Sequence, residues 1–142
     1  MIDLENNVYT SVEGLEDRSP SILILEDDPS ISSKLKLVLQ RIVGLDYICV
    51  TKDIDTCKYR LEHSVFTNPK LTFVNVGMLQ RDNWEFLDWF ENNGLQGTTK
   101  LVLFSNEASS SEIVKSKTYK NVIAFYHLPL TYEKMLRLLD RF

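Results

Sequence analysis

LTFVNVGML, residues 71–79, is a nearly unbroken apolar run that carries one amide, Asn75. A short, continuously apolar segment is what a central strand of a parallel sheet requires, because helices cover such a strand on both faces. The run reads as a buried strand, with Asn75 placed where the chain leaves the apolar stretch.

The segments on either side repeat the same alternation. SILILE (21–26), LDYICVT (45–51), KLVLFS (100–105) and NVIAFYH (121–127) read as four further strands. Helix-period segments follow each one. Pro29 opens a helix whose Ile31, Leu35, Val38, Leu39 and Ile42 form one stripe. DIDTCKYRLEHSVF places Ile54, Cys57, Leu61 and Val65 on one face, and Asn68-Pro69 ends it. WEFLDWFEN (84–92) is closed by Asn93-Gly94, and its four aromatic residues, Trp84, Phe86, Trp89 and Phe90, cannot all face inward. Ser109 and Glu112 have capping-box spacing before Ile113 and Val114. TYEKMLRLLDRF is a terminal helix with Tyr132, Met135, Leu136 and Leu139 expected inward. Five strands alternating with five helices predict an α/β fold, a doubly wound (βα)5 sandwich of flavodoxin-like type with helices on both faces of a five-stranded parallel sheet.

Charge and composition narrow the function. The chain has 142 residues, 44% hydrophobic and 25% charged, enough for one domain with a single core. Residues 1–20 hold five acids against Arg18 and read as an acidic N-terminal extension, in which VYTSV (8–12) has β-propensity; the domain proper is 21–142. The remainder is balanced at 15 acids and 15 bases, which argues against direct nucleic-acid binding. Cys49 and Cys57 lack metal-ligand spacing with His63 or His127 and are too few for a disulfide framework. With no membrane-length apolar run and no secretory leader pattern, a cytoplasmic protein is expected. No GxGxxG, GxxxxGK[ST] or GxSxG occurs, and Ser105 with His127 is weak evidence for a nucleophile and base, so an enzyme is not expected.

Ligands on open α/β sheets collect at the carboxyl ends of the strands. Those ends carry Glu26, Asp27 and Asp28 after the first strand, Asn75 after the third, Ser105 after the fourth and His127-Leu128-Pro129 after the fifth. Bunched acids at a buried strand end call for a cation, a basic partner or solvent. Asp28, or Asp27, also has a plainer use as the cap of the helix opened by Pro29.

From Ser21 to Phe142 the sequence resembles the receiver domains of two-component response regulators. ILILEDDP is similar to the receiver opening in which two adjacent acids bind magnesium, implying that role for Glu26 and Asp27. VNVGMLQRDNWEFL is similar to a receiver stretch reading LDxxMPxxxGWEFL, which puts Asn75 at the phosphoacceptor aspartate and the carbonyl of Gly77 at a metal-ligand position. Ser105 falls at the switch Ser/Thr and Phe125 at the aromatic switch. HLPLTYEKM resembles SKPLTPEKL, which puts Leu128 at the receiver lysine and Pro129 after a cis peptide.

The departures carry the functional expectation. Receiver chemistry uses a carboxylate nucleophile, a magnesium ion held by three carboxylates, and a lysine and hydroxyl on the phosphoryl oxygens. An amide at 75 is a poor nucleophile, Leu128 has no charge, and Leu79 and Asn83 replace the usual loop proline and glycine. Losing both members of a buried charge pair is physically coherent, since losing one strands the other at about 3–5 kcal/mol. The resemblance thus implies a degenerate pseudo-receiver that binds proteins without phosphorylation through its last helix and neighbouring surface. A histidine kinase or another signalling regulator is the kind of partner implied, with a homodimer left open. The alternative is phosphotransfer through a displaced acceptor, Asp28 or Asp82. No cofactor is expected beyond weakly held Mg2+, and the acid pair should owe its state to protonation or to a hydrogen bond from Asn75 or Ser105.

Overall fold

The structure, a computed structural model, describes residues 22–44, 48–63, 69–93 and 99–140. The expectations for residues 1–21, for the start of the second strand, and for Val65, Asn68 and Gly94 lie outside them.

Among the described residues five strands form one sheet: β1 (Ile22–Leu25), β2 (Ile48–Thr51), β3 (Leu71–Asn75), β4 (Lys100–Ser105) and β5 (Val122–His127). Their order is β2-β1-β3-β4-β5, and every pairing is parallel. Among the described residues six helices accompany them: α1 (Pro29–Val43), α2 (Ile54–Glu62), α3 (Val76–Arg81), α4 (Glu85–Asn92), α5 (Ser110–Ser116) and α6 (Tyr132–Leu139). The doubly wound parallel fold is therefore the one expected, with one helix more.

That extra helix corrects the reading of 71–79 as strand throughout. The strand stops at Asn75, whose side-chain oxygen accepts the Gly77 N–H at 2.8 Å and caps α3. Val76, Met78 and Leu79 stay apolar because the helix buries them. A short apolar run looks alike in a strand and in a buried helical turn.

Alternation along the strands builds two cores. Leu23, Leu25, Val74, Leu101 and Leu103 face Cys57 and Leu61 of α2, Val76, Met78 and Leu79 of α3, and Phe86, Leu87 and Phe90 of α4. Ile22, Ile24, Phe73, Val102 and Phe104 face Leu35 and Leu39 of α1 and Met135 and Leu138 of α6. Of the α4 aromatics, Trp89 alone stays partly exposed, with Lys58 Nζ 5.2 Å from its ring centroid. On α6 the inward pair is Met135 and Leu138, whereas Leu136, expected inward, is 45% exposed. At about 100° per residue, Leu136 stands about 100° from Met135 and about 160° from Leu138, turned away from the stripe that this pair defines.

No described helix is long and apolar enough to cross a membrane. The turn between α3 and α4 places both Asn83 (φ 57°) and Trp84 (φ 64°) in the left-handed region. Asparagine tolerates that conformation, but a tryptophan there is an outlier. Burial of its indole, 6.3 Å from the Tyr119 ring centroid in a stacked arrangement, holds it in place.

The layered core makes a direct expectation for stability. Phe73→Ala, at a fully buried position in β3, should lower the urea-unfolding free energy by about 3–5 kcal/mol. Leu37→Ala, on the exposed side of α1, should change it by no more than about 0.5 kcal/mol. Similar losses at both positions would contradict the packing described.

Candidate functional site at the carboxyl ends of the strands

Parallel register assembles the site. Leu25 pairs with Val74, so Glu26 and Asn75 follow side by side on neighbouring strands. Asn75 pairs with Phe104, which puts Ser105 one residue further along β4, and Ser105 pairs with His127 of β5. Glu26, Asn75, Ser105 and His127-Leu128 thus form a row at one end of the sheet.

Within that row the tightest contacts join β1 to β3. The Asn75 Nδ2 amide donates to Glu26 Oε1, while Asn75 Oδ1 accepts the Gly77 N–H. Glu26 Oε2 accepts the Asp28 N–H at 3.0 Å, so each carboxylate oxygen has its own donor. This pattern fixes the amide orientation, because the reverse would set NH2 against the Gly77 N–H and oxygen against the carboxylate. Glu26 is only 1% exposed. Burial pushes its pKa above the ordinary glutamate range, and the Asp28 N–H and the Asn75 amide offset part of that rise.

Asp27 faces outward. Its Oδ2 lies 2.8 Å from Arg81 Nη1, and the hydrogen bond to that guanidinium holds its pKa below the ordinary aspartate range. Arg81 Nε also donates to the Gly77 carbonyl at 3.3 Å. Arg81 thus touches both an acid and a backbone carbonyl singled out from the sequence, and it is a residue that sequence reasoning missed. Its signal was the four-residue spacing from Gly77, which brings two residues together only on a helix.

Other expected members of the site point elsewhere. Ser105 is buried, but its hydroxyl donates to the Glu107 carbonyl at 3.0 Å and accepts the Glu107 N–H at 3.2 Å. Of the two donors expected to serve the acids, Asn75 or Ser105, it is Asn75 that makes the bond. A serine two residues before a free backbone N–H closes a local turn of this kind readily. Phe125 packs partly buried against the core cluster on the α2–α4 face. Leu128 packs against the opposite cluster and lines a groove with Ile31, Leu35 and Val38 of α1. The Leu128–Pro129 peptide is cis. Lys134 Nζ, also unanticipated, donates to the carbonyls of Pro129 and His127 at 3.2 and 3.4 Å.

The two alternative acids each accept a backbone N–H near a helix start. Asp28 Oδ1 accepts the Ser30 N–H at 2.8 Å and caps α1. Asp82 Oδ2 accepts the Phe86 N–H at 3.1 Å, and burial raises its pKa. Among the described residues no group of three or more His, Cys, Asp or Glu side chains is arranged to hold a metal ion.

No protein-family model and no curated protein sequence matches the chain. Solved structures do. A two-component response regulator from Legionella pneumophila superposes with a TM-score of 0.74 at 20% identity, over 86% of this chain and 96% of that one. A two-component response regulator from Cytophaga hutchinsonii gives 0.74 at 15% identity, over 84% and 93%. A response regulator receiver domain protein from Methanospirillum hungatei gives 0.68 at 18%, over 84% and 90%. The structural neighbours are thus response-regulator receivers, and at these identities the likeness is one of fold.

The Glu26–Asn75 contact sets a pH dependence. Glu26 keeps its proton to higher pH in the folded chain than in the unfolded one, so from about pH 4.3 upward its ionisation lowers stability as pH rises through the folded value. Asn75→Ala removes a donor to the carboxylate together with the α3 cap, and should cost about 2 kcal/mol or more at pH 7. The loss should shrink at pH 4, where protonated Glu26 makes less demand for that donor. Urea melts of both chains at the two pH values check this; an equal loss at both would show that Glu26 does not feel Asn75.

Proposed function

We propose that this chain is a pseudo-receiver: a cytoplasmic signal-transduction domain of receiver fold that docks a protein partner without being phosphorylated. The observation that carries the reading is the amide of Asn75 at the end of β3, bonded to Glu26 and Gly77 where a phosphoacceptor carboxylate would need to stand free. The receiver fold of the neighbours and the motif resemblance support the alignment behind it. Leu128, packed toward α1 at the position aligned with the receiver lysine, supports the loss of phosphoryl stabilisation.

On this reading Glu26, Asp27 and Gly77 are a former metal-ligand set, and Ser105 and Phe125 occupy former switch positions. Docking falls to α6 and the adjoining surface, where Leu136 stands exposed beside Ile42, Val43 and Leu139. A histidine kinase, another signalling regulator or a second copy of the chain fits such a surface better than nucleic acid, given the near-neutral body. Phosphotransfer through Asp28 or Asp82 is disfavoured by the backbone N–H that each carboxylate already accepts.

Incubation with radiolabelled acetyl phosphate and magnesium tests the proposal. The chain should take up no hydroxylamine-sensitive label. A stable acyl phosphate would overturn it, and mass spectrometry would show whether Asp28 or Asp82 carried the group.

A further inference from the structure

Five oxygens that a divalent ion would use at this end of the sheet already accept hydrogen bonds from the chain's own groups. Glu26 Oε1 accepts the Asn75 amide and Oε2 accepts the Asp28 N–H. Asn75 Oδ1 accepts the Gly77 N–H, Gly77 O accepts Arg81 Nε, and Asp27 Oδ2 accepts Arg81 Nη1. A magnesium ion demands near-octahedral oxygen ligation. To join it, Asn75 would have to turn its oxygen away from Gly77, uncapping α3 and leaving Glu26 Oε1 without its donor. The residues present therefore do not fit the ion.

We infer that Asn75 and Arg81 act together as a built-in replacement for a divalent cation, the amide serving Glu26 and the guanidinium bridging Asp27 to the carbonyl of Gly77. The inference rests on the reading of Glu26, Asp27 and Gly77 as a former metal set. The division of labour follows from burial. Asn75 meets the buried acid, where a neutral donor avoids bringing a second charge out of water. Arg81, with its side chain 63% exposed, meets the acid that reaches solvent. Because Arg81 stands in the last turn of α3 and reaches back to Gly77 in the first, it also ties this helix to the β1–α1 loop. The end of the sheet is thereby held in one arrangement whatever the magnesium concentration.

The two residues contribute unequally, which makes the inference testable. An exposed ion pair hinders an incoming metal only modestly, whereas the amide denies it a ligand outright. Calorimetric titration of the full chain with MgCl2 should show no saturable binding in the millimolar range for the parent or for Arg81→Gln. Asn75→Asp should create a site, and Asn75→Asp/Arg81→Gln should bind about threefold more tightly than Asn75→Asp alone. Near-UV circular dichroism checks that each variant is folded. The Arg81 Nε–H resonance of the parent, which needs no variant, should stay fixed as magnesium is added. Saturable magnesium binding by the parent that moves this resonance would overturn the inference, as would equal affinities of the single Asp variant and the double variant. Either result leaves the absence of phosphoryl label untouched, whereas a labelled parent would sink the functional reading without altering these affinities.

Discussion

A single side-chain amide, that of Asn75, links the neighbouring strands β1 and β3 to the helix that follows β3. It donates from the end of β3 to the buried Glu26, which follows β1, and accepts from Gly77 at the start of α3. Both contacts need the same orientation, so neither can be changed without the other. The register of β1 on β3 delivers Glu26 to this amide, and Glu26 in turn accepts from Asp28, which caps α1. Two helix starts and a strand pair thus meet at one hydrogen-bonded cluster.

The charges around that cluster are arranged by their access to water. An acid as buried as Glu26 is tolerable because two donors serve its oxygens, while its raised pKa records the remaining cost of burial. Asp27 turns outward and meets a full positive charge at Arg81. A carboxylate at 75 would confront Glu26 at hydrogen-bond range and require a cation between them. On the proposed reading, replacement of aspartate by Asn75 and of lysine by Leu128 removes two charges of opposite sign, which avoids stranding either one.

Much of this was legible in the sequence because parallel strands announce themselves. The apolar runs and intervening helix periods specify the sheet, and the residues that end each apolar run already set Glu26 and Asn75 at the same edge. Arg81 was lost because reading strand through Leu79 concealed the helical spacing from Gly77. Sequence places Ser105 in the right row but does not decide between it and Asn75 as the donor to the acids: register specifies where a hydroxyl starts, not which way it rotates, and the nearby Glu107 backbone captures it. Leu136 is expected inward on the i, i+3, i+4, i+7 spacing of Tyr132, Met135, Leu136 and Leu139, a pattern that cannot tell this face from the neighbouring one that buries Met135 and Leu138. These misses concern side-chain direction and one strand end, the features that sequence pattern specifies least.

The central claim, that the Asn75 amide permanently serves Glu26, is open to a direct NMR measurement on the unmodified chain. The two Nδ2 protons of Asn75 should have widely separated shifts, with one protected from solvent exchange, and that proton should move as Glu26 titrates above the ordinary glutamate range. Degenerate, rapidly exchanging Asn75 amide protons that ignore the titration of Glu26 would contradict the account.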